Sequence, residues 1–340
     1  MNVGLIGFGM VAERFHAPLI AVEPSLCLTH VVERRRRRAQ ELYPEVTTLT
    51  DAEQLWTAPV DIVAVLTPNE SHYPLAKAAL EAGKHVVVDK PFTNTSAQAD
   101  ELIALAEAKG LVLTAFQNRR WDSDFLTVQA LLEHGRLGKV RRFESRWERF
   151  RPQLKGGWRE GDGEGTGIFY DLGSHMIDQL FTLFGTPRRL RCSLASRREG
   201  TNAVDDFDWL ADYGDFEALI HSDCLTEPTF RFLVEGDRAT YRKTGFDIQE
   251  DALARGEIPE GPDWGVEPDE QRGQLYRVEG EAGDIIPTLP GRYPDFYANL
   301  SATIQGSARL EVKPRQARDV IRAIELGMES ARTGDWVAWS

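Results

Sequence analysis

Val3-Gly4-Leu5-Ile6-Gly7-Phe8-Gly9-Met10-Val11-Ala12 decides the fold of this chain. A short apolar run, Val3–Ile6, is followed by two glycines one residue apart and by a small residue at position 12. The run reads as a buried strand and the residues from Val11 onward as a helix. Between a strand and a helix each small residue has a task. Gly7 permits a tight turn, Gly9 lets a phosphate approach the backbone, and Ala12 lets the helix pack closely on the strand. The first amides of a helix point outward and carry partial positive charge, so an anion is welcome there. Gly7, Phe8, Gly9, Met10 and Val11 are therefore the first candidate cofactor contacts. Alone, this spacing also suits an ordinary structural turn; the neighbouring sequence has to decide.

The neighbouring sequence repeats the pattern. Apolar runs at Leu26–Val32, Val46–Leu49, Asp61–Leu66, His85–Val88 and Leu111–Phe116 alternate with helical stretches at Val11–Ala21, Arg35–Leu42, Tyr73–Ala82 and Ser96–Lys109. Most runs are rich in Val, Leu and Ile without polar alternation, as strands buried on both faces are. Thr95 with Gln98 offers a capping box, and Gly110 a helix stop. Strand–helix alternation of this kind predicts a parallel, doubly wound Rossmann sheet over residues 1–120. After Arg120 the pattern changes. A helix over Asp122–Glu133 precedes an alternating strand, Val140–Phe150, a Gly-rich loop, Gly156–Gly167, and an apolar helix, Ile168–Phe184. Strand-like runs then crowd together at Arg188–Ser193, Asp208–Tyr213, Phe216–His221, Phe230–Glu235 and Ala239–Arg242, which predicts a largely antiparallel open sheet. Residues 243–292 read mostly as loop, and Pro294–Ile304 and Pro314–Arg332 as helices. The expectation is an α/β chain: a Rossmann domain, 1–120, followed by an α+β domain, 121–340, for substrate and oligomerisation.

Composition narrows the function. The 340 residues carry 53 Asp and Glu against 40 Lys and Arg, a net charge of −13. That balance argues against a general nucleic-acid binder or a polybasic membrane-surface protein. No apolar run reaches the roughly 18 residues of a membrane helix. The first apolar run begins at Val3, so no leader is expected ahead of it. Cys27, Cys192 and Cys224 form neither a disulfide framework nor a metal motif. A reduced, cytoplasmic protein is expected.

Chemistry concentrates in a few places. Glu33 ends the second strand; an acid there hydrogen-bonds the adenosine ribose and favours NAD. Arg34 follows it and suits the 2′-phosphate of NADP. The rest of the arginine run, to Arg38, reads as a solvated helix face. Asp89-Lys90-Pro91 follows the fifth strand, where a lysine reaches the edge at which such sheets bind ligands. Asp171 and His175 stand four apart on one predicted helix and so face the same way. Such a pair suits an acid–base site, a polar core pair or two metal ligands; no further ligand set is apparent, and no metal is expected.

In combination, Gly7–Ala12, Thr67-Pro68-Asn69 with His72, Asp89-Lys90-Pro91 and Gly165…Asp171…His175 resemble the Gfo/Idh/MocA oxidoreductases, in order and spacing along nearly the whole chain. The family usually has Glu where this chain has Asp89. Phe15-His16-Ala17-Pro18-Leu19-Ile20, Asn118-Arg119-Arg120-Trp121-Asp122-Ser123-Asp124 and Trp158-Arg159 are similar to the subgroup containing the NADP-dependent scyllo-inositol dehydrogenases. That subgroup usually has a small polar residue where this chain has Glu33. The resemblance implies hydride transfer between a nicotinamide cofactor, NADP slightly ahead of NAD, and a secondary hydroxyl of a cyclic polyol or sugar. It implies Lys90, Asp171 and His175 as the catalytic set. Thr67, Pro68, Asn69, His72, Asp89, Lys90, Asn118 and Arg119 would line the cofactor, and Lys90, Asn118, Trp158, Arg159, Asp171 and His175 the substrate. Other substrates open to the same chemistry are a dihydrodiol, another sugar or an open-chain keto compound. A non-catalytic dinucleotide-binding regulator is the reading of a different class. A homodimer or homotetramer, formed through the open sheet, is expected.

Overall fold

A computed structural model describes the chain except for residues 36, 158, 159, 162, 164 and 278–282. Chain contacts divide it into two units. The first comprises Met1–Asn118, Gln249–Trp264 and Arg292–Ile321; the second comprises Arg119–Ile248, Gly265–Gly291 and Arg322–Ser340. Two later segments thus return to the first unit, where the sequence suggested a single crossing at about residue 120.

In the first unit six parallel strands, β1 (Asn2–Ile6), β2 (Cys27–Val32), β3 (Thr47–Leu49), β4 (Ile62–Val65), β5 (His85–Val88) and β6 (Leu113–Ala115), lie in the order β3-β2-β1-β4-β5-β6. The order reverses between β1 and β4, and ligands of open α/β sheets bind outside the carboxyl ends of strands at such a point. Val63, Val65, Val86 and Val88 are fully buried and share a core with Leu102, Ile103 and Ala106 of the helix Ser96–Lys109. Thr95 caps that helix by accepting the Gln98 amide at 3.2 Å, and Gly110 ends it in the left-handed conformation, as the sequence predicts. Ala317 and Ile321 of the long helix Pro314–Thr333 join the same core. The stretch 243–292 is more ordered than its composition suggested, holding a helix, Gln249–Ala254, and two strands. Gln249 anchors its helix: its side-chain oxygen accepts the Trp264 indole N–H at 2.9 Å and the Tyr293 amide at 2.7 Å.

The second unit is built on nine strands: β7 (Val140–Arg146), β8 (Arg189–Ala195), β9 (Asp206–Asp212), β10 (Glu217–Asp223), β11 (Phe232–Gly236), β12 (Ala239–Lys243), β13 (Gly273–Arg277), β14 (Asp284–Ile286) and β15 (Val337–Ala338). Their order is β14-β13-β12-β11-β7-β10-β9-β8-β15, antiparallel except between β7 and β10. The helix Ser174–Phe184 covers one face, its Phe181 and Phe184 rings 6.1 Å from Trp209 and 5.4 Å from Phe143. β7 departs from strict alternation, because Glu144, on the expected polar face, is buried. Arg142 and Arg146 donate to its carboxylate at 2.6 and 3.0 Å, which offsets the loss of solvent. Among the described residues, no helix is long and apolar enough to cross a membrane.

Candidate active site

The turn after β1 has the geometry its sequence calls for. Gly7 has φ +97°, and a Cβ there would lie 2.8 Å from the Leu66 carbonyl oxygen. Its amide donates to Val32 at 3.0 Å, so the turn is pinned to β2 while β4 crowds it from the other side. Gly9 is the opposite case. It is exposed, and a Cβ there would meet nothing within 4 Å. That open ground above a helix start is what an approaching pyrophosphate requires. Phe8 is buried with its ring edge-on to Tyr43, Met10 is 51% exposed, and Val11 is half-buried. The helix opens α-helical at Met10 and Val11, widens into a π-helical turn, Ala12–His16, and returns to the α-helix at Ala17–Val22. Periodicity predicts one continuous helix here. The wider winding, frequent at functional sites, turns His16 fully inward.

Glu33, at the end of β2, is half-buried, and its carboxylate accepts the Ala39 amide at 3.2 Å. Arg34 is exposed. Arg38 pairs with Glu13 and Glu41 at 2.9 and 3.2 Å, so this arginine is occupied by its own chain. The residues fit a dinucleotide: a turn that only glycine can make, an open approach at Gly9, and an acid with an exposed arginine at the neighbouring strand end.

Thr67, Pro68 and Asn69 follow β4, and Asp89-Lys90-Pro91 follows β5. One imidazole links the two turns. His72 is 1% exposed, with Nδ1 2.8 Å from the Pro91 carbonyl oxygen and Nε2 2.8 Å from that of Thr67. Burial pushes its pKa down, against an opposing pull from Asp89 and the two carbonyls. Ser71 adds a hydroxyl bond to Thr67 at 2.7 Å, and Asn69 is buried. Asp89 is buried and Lys90 half-buried. An aromatic group that sequence reading missed packs in the same unit. His16 Nδ1 lies 2.6 Å from the Tyr297 hydroxyl, and its ring is 3.9 Å from that of Phe116. Burial takes His16 down to a pKa of about 3, and burial together with the charge of Asp89 raises that of Tyr297. His16 lay in a quoted motif; nothing in the sequence marks Tyr297 as its partner. Asn118 is buried at the start of a 3-10 turn, Asn118–Trp121.

In the second unit Asp171 lies in another π-helical turn, Phe169–Gly173, that leads into the helix Ser174–Phe184. Asp171 is half-buried and His175 is 5% exposed. The helix is held just beyond His175. Arg120 grips Asp178 with two hydrogen bonds, of 2.7 and 2.6 Å, and the Gln179 amide donates to the Arg119 carbonyl at 2.7 Å. The Arg119 guanidinium lies 3.6 Å from Asp122 and 4.3 Å from the centre of the Trp147 ring. Gly165 has φ +73° in the loop before Asp171. Trp158 and Arg159 lie outside the described residues. Among the described residues no cluster of three or more His, Cys, Asp or Glu could hold a metal ion.

A doubly wound sheet with this glycine turn and a lysine at its carboxyl edge fits a dinucleotide-binding oxidoreductase, and comparison with known proteins gives the family. Residues 1–117 match the oxidoreductase family's NAD-binding Rossmann fold, and residues 129–339 its C-terminal alpha/beta domain. The chain belongs to the Gfo/Idh/MocA oxidoreductases. It is 45% identical over 336 residues to the oxidoreductase YdgJ of Escherichia coli K12, covering 98% of this chain and 96% of that one. It is 34% identical to IolW of Bacillus subtilis 168, a scyllo-inositol 2-dehydrogenase (NADP(+)), covering 98% and 94%. The solved structure of the oxidoreductase yvaA from Bacillus subtilis superposes with a TM-score of 0.96 at 33% identity, covering 100% of this chain and 98% of that one.

Proposed function

We propose that the protein oxidises a secondary hydroxyl of a cyclic polyol or sugar to a ketone, or runs the reverse reaction, with NADP slightly preferred over NAD. The observation that carries this reading is the His72 link, which ties the turn lying against Gly7 to the turn bearing Lys90. It ties the strand end that carries Lys90 to the glycine turn on one sheet edge. The likeness to the NADP-dependent scyllo-inositol 2-dehydrogenase supports the substrate class and the cofactor.

When bound, the nicotinamide supplies a hydride acceptor. The residues supply the rest. Lys90 holds the reacting hydroxyl oxygen and stabilises alkoxide charge as it develops. His175 accepts the hydroxyl proton, a role suited to an imidazole, and Asp171, one helical turn away, orients it. Gly7 through Val11 and Thr67 through Asn69 bind the dinucleotide; Glu33 takes the ribose hydroxyls and Arg34 a 2′-phosphate. Asn118, Trp158 and Arg159 contact the substrate. A second copy of the chain covers the open face of the nine-stranded sheet, giving a dimer or a dimer of dimers; a strict monomer in size-exclusion chromatography would contradict that part.

The test is turnover by Lys90→Met and His175→Ala on a panel of inositols, hexoses and diols with each cofactor, alongside NADPH binding by fluorescence. The expected result is loss of turnover with binding retained. Full turnover by both variants would overturn the catalytic assignment.

A further inference from the structure

Trp147, just past β7, gathers arginines. The guanidinium of Arg119 lies 4.3 Å from its ring centre, that of Arg231 5.1 Å and that of Arg149 5.7 Å. Two of these groups have protein partners. Arg119 pairs with Asp122, and Arg231 donates to Ser145 and Gln179 at 2.6 Å each. Arg149 differs. Among the described residues its side chain has no ion pair and no hydrogen bond, and its Nε is buried without a partner. Its backbone amide donates to Asp223 at 3.0 Å, so the residue itself is held in place.

Arg149 is half-buried, and a buried guanidinium N–H without an acceptor, such as its Nε, is costly to keep. Its planar fork of donors matches a carboxylate in two parallel bonds. The surroundings favour an anion too. Burial lowers the pKa of Arg149, Asp171 raises it, and Arg151 and Arg119 lower it further. Among the described residues, Asp171 acts on Arg149 as an opposite charge and Arg151 and Arg119 as like charges.

We propose that Arg149, with Arg119 and the face of Trp147, forms a substrate subsite near Asp171 that takes a carboxylate, so that the preferred substrate is an acidic sugar or polyol. This rests on the dehydrogenase reading above and sharpens its substrate class. Arg149 is the specificity-determining residue, because its side-chain donors have no partner among the described residues.

The experiment uses the full chain with the better of the two dinucleotides. Glucuronate and galacturonate are compared with glucose, galactose and myo-inositol, and with glucose 6-phosphate, for the wild type, Arg149→Gln and Arg149→Lys. The wild type is expected to prefer the uronate to its neutral counterpart by about 100-fold in kcat/KM, the scale of one or two charge-assisted hydrogen bonds. Arg149→Gln lowers that ratio about 100-fold, mainly through KM, and Arg149→Lys restores part of it. A preference unchanged in Arg149→Gln, a wild type that favours the neutral sugars, or one that favours glucose 6-phosphate overturns the proposal. Thermal shift with uronate and dinucleotide is read on the same variants. If no compound is turned over but uronate stabilises the wild type and not Arg149→Gln, the subsite stands and the dehydrogenase reading falls. If uronate stabilises neither protein, the subsite falls.

Discussion

Two alanine substitutions two residues apart should fail in opposite ways. Gly7→Ala forces a side chain into φ +97° and places its Cβ 2.8 Å from a backbone carbonyl oxygen, Leu66 O, which no rotamer change relieves. The left-handed region alone costs about 1–3 kcal/mol, and moving β4 away from the turn adds to it. A loss of roughly 3 kcal/mol or more is a large part of the 5–15 kcal/mol that keeps a typical domain folded. Gly9→Ala meets nothing within 4 Å. Its conformation suits alanine, so folding should be unchanged or improved by about 0.4–1 kcal/mol. The added methyl instead occupies the ground a pyrophosphate needs. Losing one charge-assisted bond there costs about 1.5–3 kcal/mol, or roughly 10–100-fold in Kd. Urea midpoints of the ligand-free proteins and NADPH fluorescence titrations separate the two effects. Gly9→Ala binding NADPH with wild-type affinity, or Gly7→Ala unfolding at the wild-type midpoint, would refute the geometric account of this turn.

Three further outcomes are expected. Arg120→Met or Asp178→Asn should each cost about 3–5 kcal/mol, because each breaks a buried bidentate ion pair, whereas Arg120→Met with Asp178→Leu should recover much of the loss; a double-mutant cycle in urea measures this. Burial holds His16 at about 3 against an ordinary 6.5, so the unfolded chain takes up a proton that the folded chain refuses between those values. The His16 contribution is therefore intact above about pH 6.5 and is lost as the pH falls, by up to about 1.4 kcal/mol per unit; His16→Gln should show a shallower decline in urea midpoint between pH 6.5 and 4.5. Glu33→Ser should raise the NADP-to-NAD ratio of kcat/KM, and Arg34→Ala should lower it, each by about tenfold, the scale of one charged contact at the ribose.

The parallel sheet was legible because its strands are buried on both faces and show it in composition: β4 is Ile62-Val63-Ala64-Val65 and β5 ends in Val86-Val87-Val88. Thr95, Gln98 and Gly110 mark their helix ends through bonds to near neighbours, so the ends too can be read from the chain. The π-helical turns at Ala12–His16 and Phe169–Gly173 cannot, because a residue pattern spaced for an α-helix also tolerates one wider turn. Burial of Glu144 contradicts its polar alternation for a similar reason. Its partners Arg142 and Arg146 stand two residues away on the same face, and only the folded sheet closes solvent off from the carboxylate they bond.

The site divides along the same line. Sequence alone determined the turn of Gly7 and Gly9, the acid and arginine after β2, and Lys90 at a strand end, because backbone conformation and strand direction are local properties. Tertiary structure decided the partners. It set Tyr297 against His16, 281 positions away in sequence, closed Arg120 on Asp178, made His72 a link between two turns, and left Arg149 beside Trp147 with its Nε unbonded among the described residues. Which charge meets which, and which stays without a partner, depends on distances between segments that the chain order does not encode.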